Sequence, residues 1–472
     1  MNEPTIVTTC AELMSALAAG ETDIRIAGTV RTIGAVTLPP GVHLRGGALE
    51  GGGLRLTRDN TVTDLLVTAP ETGIAISNDC AESDLGTLTL RAVRTRGRVL
   101  LRADGMVRTG DIEIDGLHVE AANLGGRAGH PAGSAGGARQ GAITVVNRQL
   151  DPGTALSARL RGLRVGSSRT PVQGCGIVVG GRHDGDGGKL WVHELSIDEV
   201  HIGGDTSATR GWLVQAAVLV QPGGYVGDLV VGGPLACYGP RQIALYNRGS
   251  ITRCLALQSI TASGVGGIGV RSLGRIGMLA VLGPLVTYGR DGHGVDLRGG
   301  GVGTAAFRSV TTYGAGAIGV SVANTVCRLR IAEDVRTYGD LACEAGVAAA
   351  GLSIRRAGRV STLDVVGSIE SHGAGSPALE VGGVLGATRV ARGVAAHGVD
   401  ADAVRVHGVR VLDLEDVVIS STGGQALRLI PIPRRPPVRA ATPSNRRLIA
   451  RCGAAATDWS CHTPAGMPTD CP

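Results

Sequence analysis

The chain has 472 residues, of which 76 are glycine and ten are Phe, Tyr or Trp. So few rings exclude an ordinary globular core of this length, because aromatics are the usual volume fillers; Val, Leu, Ile and Ala must fill many thin layers instead. The net charge is +6, but residues 431–472 hold six arginines against two aspartates, so the body carries about +2 and is no nucleic-acid binder by charge.

The N-terminus, MNEPTIVTTCAELMSALAAG, has neither a basic n-region nor a long apolar h-region. As written the chain reads as soluble and cytoplasmic; a secreted chain whose leader has been removed would read the same way. No apolar run is long enough to span a bilayer. Thr9 and Glu12 have the spacing of a capping box. Leu13, Met14 and Leu17 then form an apolar stripe, and Gly20 ends a short helix. Residues 1–22 are therefore expected to plug one end of a solenoid.

The clearest pattern lies further on, in residues 239–430. Gly239, Gly264, Gly289, Gly314 and Gly339 recur every 25 residues; after a nine-residue insertion, Gly373, Gly398 and Gly423 resume the period. Such self-similarity marks a repeat architecture. Four residues before each glycine stands an aliphatic, among them Leu285, Val310 and Val335, and two before it a small residue such as Thr287 or Ser371. A second turn follows ten residues after it, at Gly249, Gly274, Gly299, Asn324, Gly358, Gly383 and Gly408, where a left-handed backbone is expected. The intervening stretches are short, alternating and β-branched. With a bend in the longer one, each unit holds about three strands.

The expected fold is thus all-β, a parallel β-helix over residues 23–430. The phase extends backwards through Gly52, Gly73, Gly97, Gly125, Gly166 and Gly203, giving about 14 coils of about 25 residues. Tyr238, Tyr288, Tyr313, Tyr338, His372 and His397 occupy one position beside the turn glycine, and Ser263 interrupts them. They should stack as a ring ladder.

The coils of residues 98–239 are irregular. Gly125 to Gly166, Gly166 to Gly203 and Gly203 to Gly239 span 41, 37 and 36 residues. The surplus over one coil should form loops that wall a cleft. Candidate chemistry collects there. In DIEIDGLHVE, alternation sets Asp111, Glu113 and Asp115 on one face, where His118 and Glu120 also turn outward. Asp184, Asp186, Lys189, Trp191, His193, Glu194, Asp198 and His201 follow, with Arg169 before them and Trp212 after. Asp111, Glu113, Asp115, Glu194 and Asp198, with Lys189 and His193, are candidate catalytic groups, since glycoside cleavage needs paired carboxylates or a base. Arg169, Trp191, Trp212 and His201 are candidate substrate-binding residues. DGDGG resembles a fragment of a calcium loop, which makes Asp184 and Asp186 the candidate Ca2+ ligands.

The ten cysteines are scattered, and none forms a CxxC pair, which speaks against zinc. Cys452, Cys461 and Cys471 could pair in an oxidising compartment. The Pro/Arg-rich stretch 431–472 reads as a poorly ordered tail.

The capping helix, then DIRIAGTV, then TLPPGVHLRGGALEGGGLRLTRDNTVTDLLV resembles the opening of pectate-lyase-like right-handed parallel β-helix proteins. That resemblance implies a right-handed helix and β-elimination of acidic polysaccharide. It further implies acids among Asp184, Asp186 and Asp198 holding calcium, and Lys189, Arg169 or Arg161 as base. Of the family's RxPxxR element, SRTPVQG keeps an Arg and a Pro. Glycosidase chemistry would instead draw on Asp111, Glu113, Asp115, Glu194 and Asp198, if their coils align. Two readings stand: a carbohydrate-active lyase or hydrolase with its cleft at 111–215, binding a polysaccharide or oligosaccharide, or a non-catalytic scaffold or surface-binding protein.

Overall fold

A computed structural model describes residues 3–124, 140–182, 185–204, 214–342, 348–408, 412, 414 and 416–431. Residues Met1–Ile430 form one unit and Pro431–Pro472 a second, nearly all of which lies outside the described residues. Among the described residues no helix is long and apolar enough to cross a membrane.

The first unit is an all-β parallel solenoid with sheets of 25 and 15 strands. The larger sheet supplies two faces of each coil and the smaller one the third. Every strand pairing is parallel and joins a residue to its equivalent in the next coil, as Val310 does with Val335. The fifteen strands of the smaller sheet correspond to one more winding than the fourteen expected.

The core follows from alternation. One inward column runs Ile24, Leu44, Val62, Leu90, Ile114, Leu160, Leu195, Leu229, Cys254, Leu279, Ala305, Leu329 and Leu363. All are buried. Stacked aliphatics fill the tube without rings, which accounts for the aromatic-poor composition. Burial also pushes the Cys254 thiol up to about 12, so it behaves as a core residue.

The bend expected within the longer stretch is present. Asp84–Arg96, Thr109–Ala121 and Ala155–Val165 each serve two faces. They turn at Ala92, Gly116 and Gly162, which are in register and have φ of 50°, 80° and 60°.

The turn glycines play a different part from the one expected. Gly249, Gly274, Gly299, Asn324, Gly358 and Gly383 are not among the residues with positive φ; Gly408, the last of that series, is, at 55°. The left-handed backbone falls two residues after the corner glycine, at Arg241, Gly266, Asp291, Gly316, Gly375 and Asp400. The corner glycines are needed for space: a Cβ on Gly314 would stand 2.0 Å from the Gly289 carbonyl oxygen one coil below. The backward phase also shifts. Ile202 pairs with Cys237, so the corner preceding Gly239 is Gly204, not Gly203. Gly166 directly follows Val165, the partner of Val200, which puts it three positions short of the corner. The loops consume the difference.

The cap is as read, with one exception. Helix Cys10–Ala18 starts with a complete Thr9/Glu12 capping box and buries Leu13, Ala16 and Leu17. Met14 is 49% exposed; Ala16 takes its place against the core.

Candidate functional site

Three successive coils gather most of the expected residues on the first face of the large sheet. Thr109–Ala121 points Asp111, Glu113 and Asp115 outward and buries Ile112 and Ile114. Lys189–Gly203 supplies Lys189, Trp191, His193 and Glu194 two coils further on. The rung between them is Ser157, Arg159 and Arg161. The coils therefore align, but the two acidic rungs are not neighbours.

Arginine fills the gap between them. Arg161 grips Glu194 with Nη2 2.6 Å and Nε 2.7 Å from Oε2. That hydrogen bond and charge raise its already high pKa. Arg159 reaches towards Glu113 at 3.9 Å, and Arg253 holds Asp228 at 2.7 Å. Thr89, Arg91, Glu113, Asp115, Arg159 and Arg161 line a shallow depression of about 170 Å³. Beside it the Trp191 ring stacks on Tyr225, with centroids 4.4 Å apart and planes 20° from parallel. The opposite neighbour of Trp191 is Ser157, a small side chain.

His193 sits at a β-bulge, because Ala158 pairs with Val192 while Arg159 pairs with Glu194. Asp198 lies at a second register shift, exposed where the chain turns to the next face. Lys189 begins its strand and is partly buried. Arg169 is exposed on the loop after Gly166. His201, expected to face substrate, is buried: its Nδ1 lies 2.9 Å from the Tyr238 hydroxyl and its Nε2 3.4 Å from Glu199. Those contacts hold its ring in place.

Trp212 and Asp184 lie outside the described residues, as do Arg127, His130, Arg139 and His183. Asp186 is exposed in the corner before Lys189. The described part of that corner offers one carboxylate, against the six to eight oxygens calcium takes.

The larger groove lies on the second face, past the bend. It has a volume of about 550 Å³, and Glu71, Arg96, His118, Glu120, Thr170 and Gln173 are among its lining residues. Strand Thr109–Ala121 forms its floor, and the loop from Gly166 to Pro171 with the short strand Val172–Gln173 forms its wall. Glu120 is the extra residue of a bulge, since Thr95 pairs with Val119 and Arg96 with Ala121. Bulges commonly re-aim side chains beside active sites.

Here Glu120 turns towards Arg94, at 3.6 Å. His118 stands in register between Arg94 and Arg164. Burial, then the Arg164 charge, hold its pKa below the ordinary histidine value, so its ring is neutral at pH 7. Among the described residues neither His118 nor Arg96 has a side-chain hydrogen bond or ion pair.

Alternation alone marked His118 and Glu120 as outward, but nothing in the sequence placed Glu71 and Arg96 beside them. Among the described residues, the one His/Cys/Asp/Glu group spaced to share a metal ion is Glu370, His372 and His397, on the regular coils. The chain matches no family model, no curated protein and no solved structure.

Proposed function

We propose that this protein is carbohydrate-active, binding a segment of a uronate-containing polysaccharide in the groove on its loop-bearing coils. The observation that carries the reading is the neutral, unpartnered His118 in an open groove that Glu120 and Arg96 also line. A neutral imidazole can take a proton at working pH. In this reading His118 Nδ1 or Nε2 accepts the C5 proton α to the uronate carboxylate. The C5–H electron pair forms the C4=C5 double bond as the C4–O glycosidic bond breaks, and the departing sugar oxygen takes a proton from water or from the imidazolium. Arg96 neutralises that carboxylate and so acidifies the carbon. Glu120 and Glu71 hydrogen-bond sugar hydroxyls. The resemblance of the chain's opening to pectate-lyase-like proteins belongs to the same reading, and its calcium dependence is a variable of the test.

The first face favours a second reading, a non-catalytic surface-binding scaffold. Its acids are interleaved with arginines rather than paired with each other, and Trp191 offers an exposed ring beside them. A bound glycan would stack on Trp191 and meet no free carboxylate pair.

The test is a panel of uronate polymers, with calcium or chelator, followed by absorbance of the unsaturated product and by binding. The enzymatic reading expects cleavage that His118→Asn abolishes while Trp191→Ala spares it. The scaffold reading expects binding without cleavage, lost in Trp191→Ala. Neither binding nor cleavage across the panel would dismiss both.

A further inference from the structure

We propose that Glu370, His372 and His397 form a binding site for a divalent transition-metal ion of the zinc class, bridging two successive coils of the regular half. The proposal is independent of the groove.

Glu370 lies on strand Ile369–Ser371, and His372 directly follows it. His397 directly follows strand Val394–Ala396 of the next coil. The pairing of Ser371 with Ala396 sets the two histidines one above the other, rings 4.7 Å apart and 20° from parallel. One ligand atom from each of the three residues lies within 4.8 Å of the others. His372 Nε2 already points at Glu370 Oε2, 3.3 Å away. The His397 ring is exposed and has no hydrogen-bond partner among the described residues.

The surroundings are those of a supported ligand set. Ser368 Oγ donates to Glu370 Oε1 at 2.6 Å, and Arg336 Nε donates to Oε2 at 3.1 Å. Bonds of this kind orient a ligating carboxylate, and such outer partners accompany most metal sites. Together with His372, these bonds outweigh burial and hold the Glu370 carboxyl below its ordinary pKa. Asp334, 2.8 Å from Arg336, balances the guanidinium, so the site is not left cationic. Tyr338 stacks against the other face of His372 at 4.7 Å and fixes its plane.

Two imidazoles and one carboxylate suit zinc, nickel or copper better than calcium or magnesium. Bonds of about 2.1 Å in a tetrahedral set bring ligand atoms to roughly 3.4 Å apart. The exposed His397 ring can close that difference by turning about its side-chain torsions. The ion would take the place of the His372–Glu370 hydrogen bond, and a water would complete the set.

The full chain is titrated with Zn2+ by calorimetry and with Co2+ by visible absorption. The expected result is that His372→Ala and His397→Ala each bind one ion fewer, or bind it at least tenfold more weakly, with unchanged far-UV circular dichroism. Glu370→Gln should weaken binding to a lesser degree. If a variant does not fold, the wild-type histidine ring NMR signals decide, since zinc should shift those of His372 and His397. No binding by the full chain, equal binding in His397→Ala, or zinc shifts confined to other histidines would overturn the proposal and leave the rings as a stacking ladder.

Discussion

A Cβ placed on Gly289 would stand 2.0 Å from the carbonyl oxygen of Gly264, its equivalent one coil below. Gly314 meets Gly289 in the same way, and Gly339 comes closer still to Gly314. The 25-residue glycine period is thus a steric requirement at a corner where backbones stack with no room for a methyl group.

Gly289→Ala should therefore cost about 3 kcal/mol or more, the range of overpacking plus backbone shift. The left-handed positions two residues on should behave oppositely. Asp291 has φ 55°, and Asp291→Gly should be neutral or stabilising by up to about 1 kcal/mol. Guanidinium denaturation of both variants checks the contrast. A harmless Gly289→Ala would contradict the stacking.

The tyrosines of the ring ladder should contribute stability rather than sugar binding. Tyr288 and Tyr313 stack 5.2 Å apart and 4° from parallel, and Tyr338 continues the column at 5.0 Å. Their faces cover one another, so sugars would meet ring edges. Tyr313→Ala breaks two stacks and should lower stability by roughly 1–2 kcal/mol. Tyr313→Phe should lose almost nothing. Thermal melts of the pair separate ring stacking from any role of the hydroxyl.

The Arg161–Glu194 pair tests whether the first face does chemistry. Both side chains are well exposed, so Glu194→Gln should cost at most about 1 kcal/mol of stability. If Glu194 serves only to hold Arg161, activity on any substrate the protein cleaves should change less than tenfold. A loss of a hundredfold or more with KM unchanged would move the catalytic centre to this face.

His293 should make the regular half acid-sensitive. It is partly buried, its Nδ1 accepts the Ile318 N–H at 3.1 Å, and burial pushes its pKa down to about 4. The unfolded ring titrates near 6.5, so between about pH 6.5 and 4 the unfolded chain binds the extra proton. Stability should be fully present above pH 6.5 and fall as the pH drops, by up to about 3 kcal/mol from this group. In His293→Gln the acid limb should flatten by that amount, read from denaturation midpoints at pH 4.5 and 7. An unchanged limb would show that another group titrates.

The sequence by itself determined the repeat, the parallel stacking, the capping helix, the inward aliphatics and the ring ladder. All of these follow from local alternation and from one period, which brings residues a fixed number apart into vertical contact. The sequence did not determine the role of glycine at the corners, because close approach and left-handed backbone select the same residue. It did not determine the charge pattern of the first face either, since 33 residues separate Arg161 from Glu194 across an irregular coil. Nor could it assemble the groove, where Glu71, Arg96, His118 and Gln173 come from different coils and a loop. Where the period holds, sequence distance converts directly into space. Where loops and bulges break it, only the folded register decides which side chains meet.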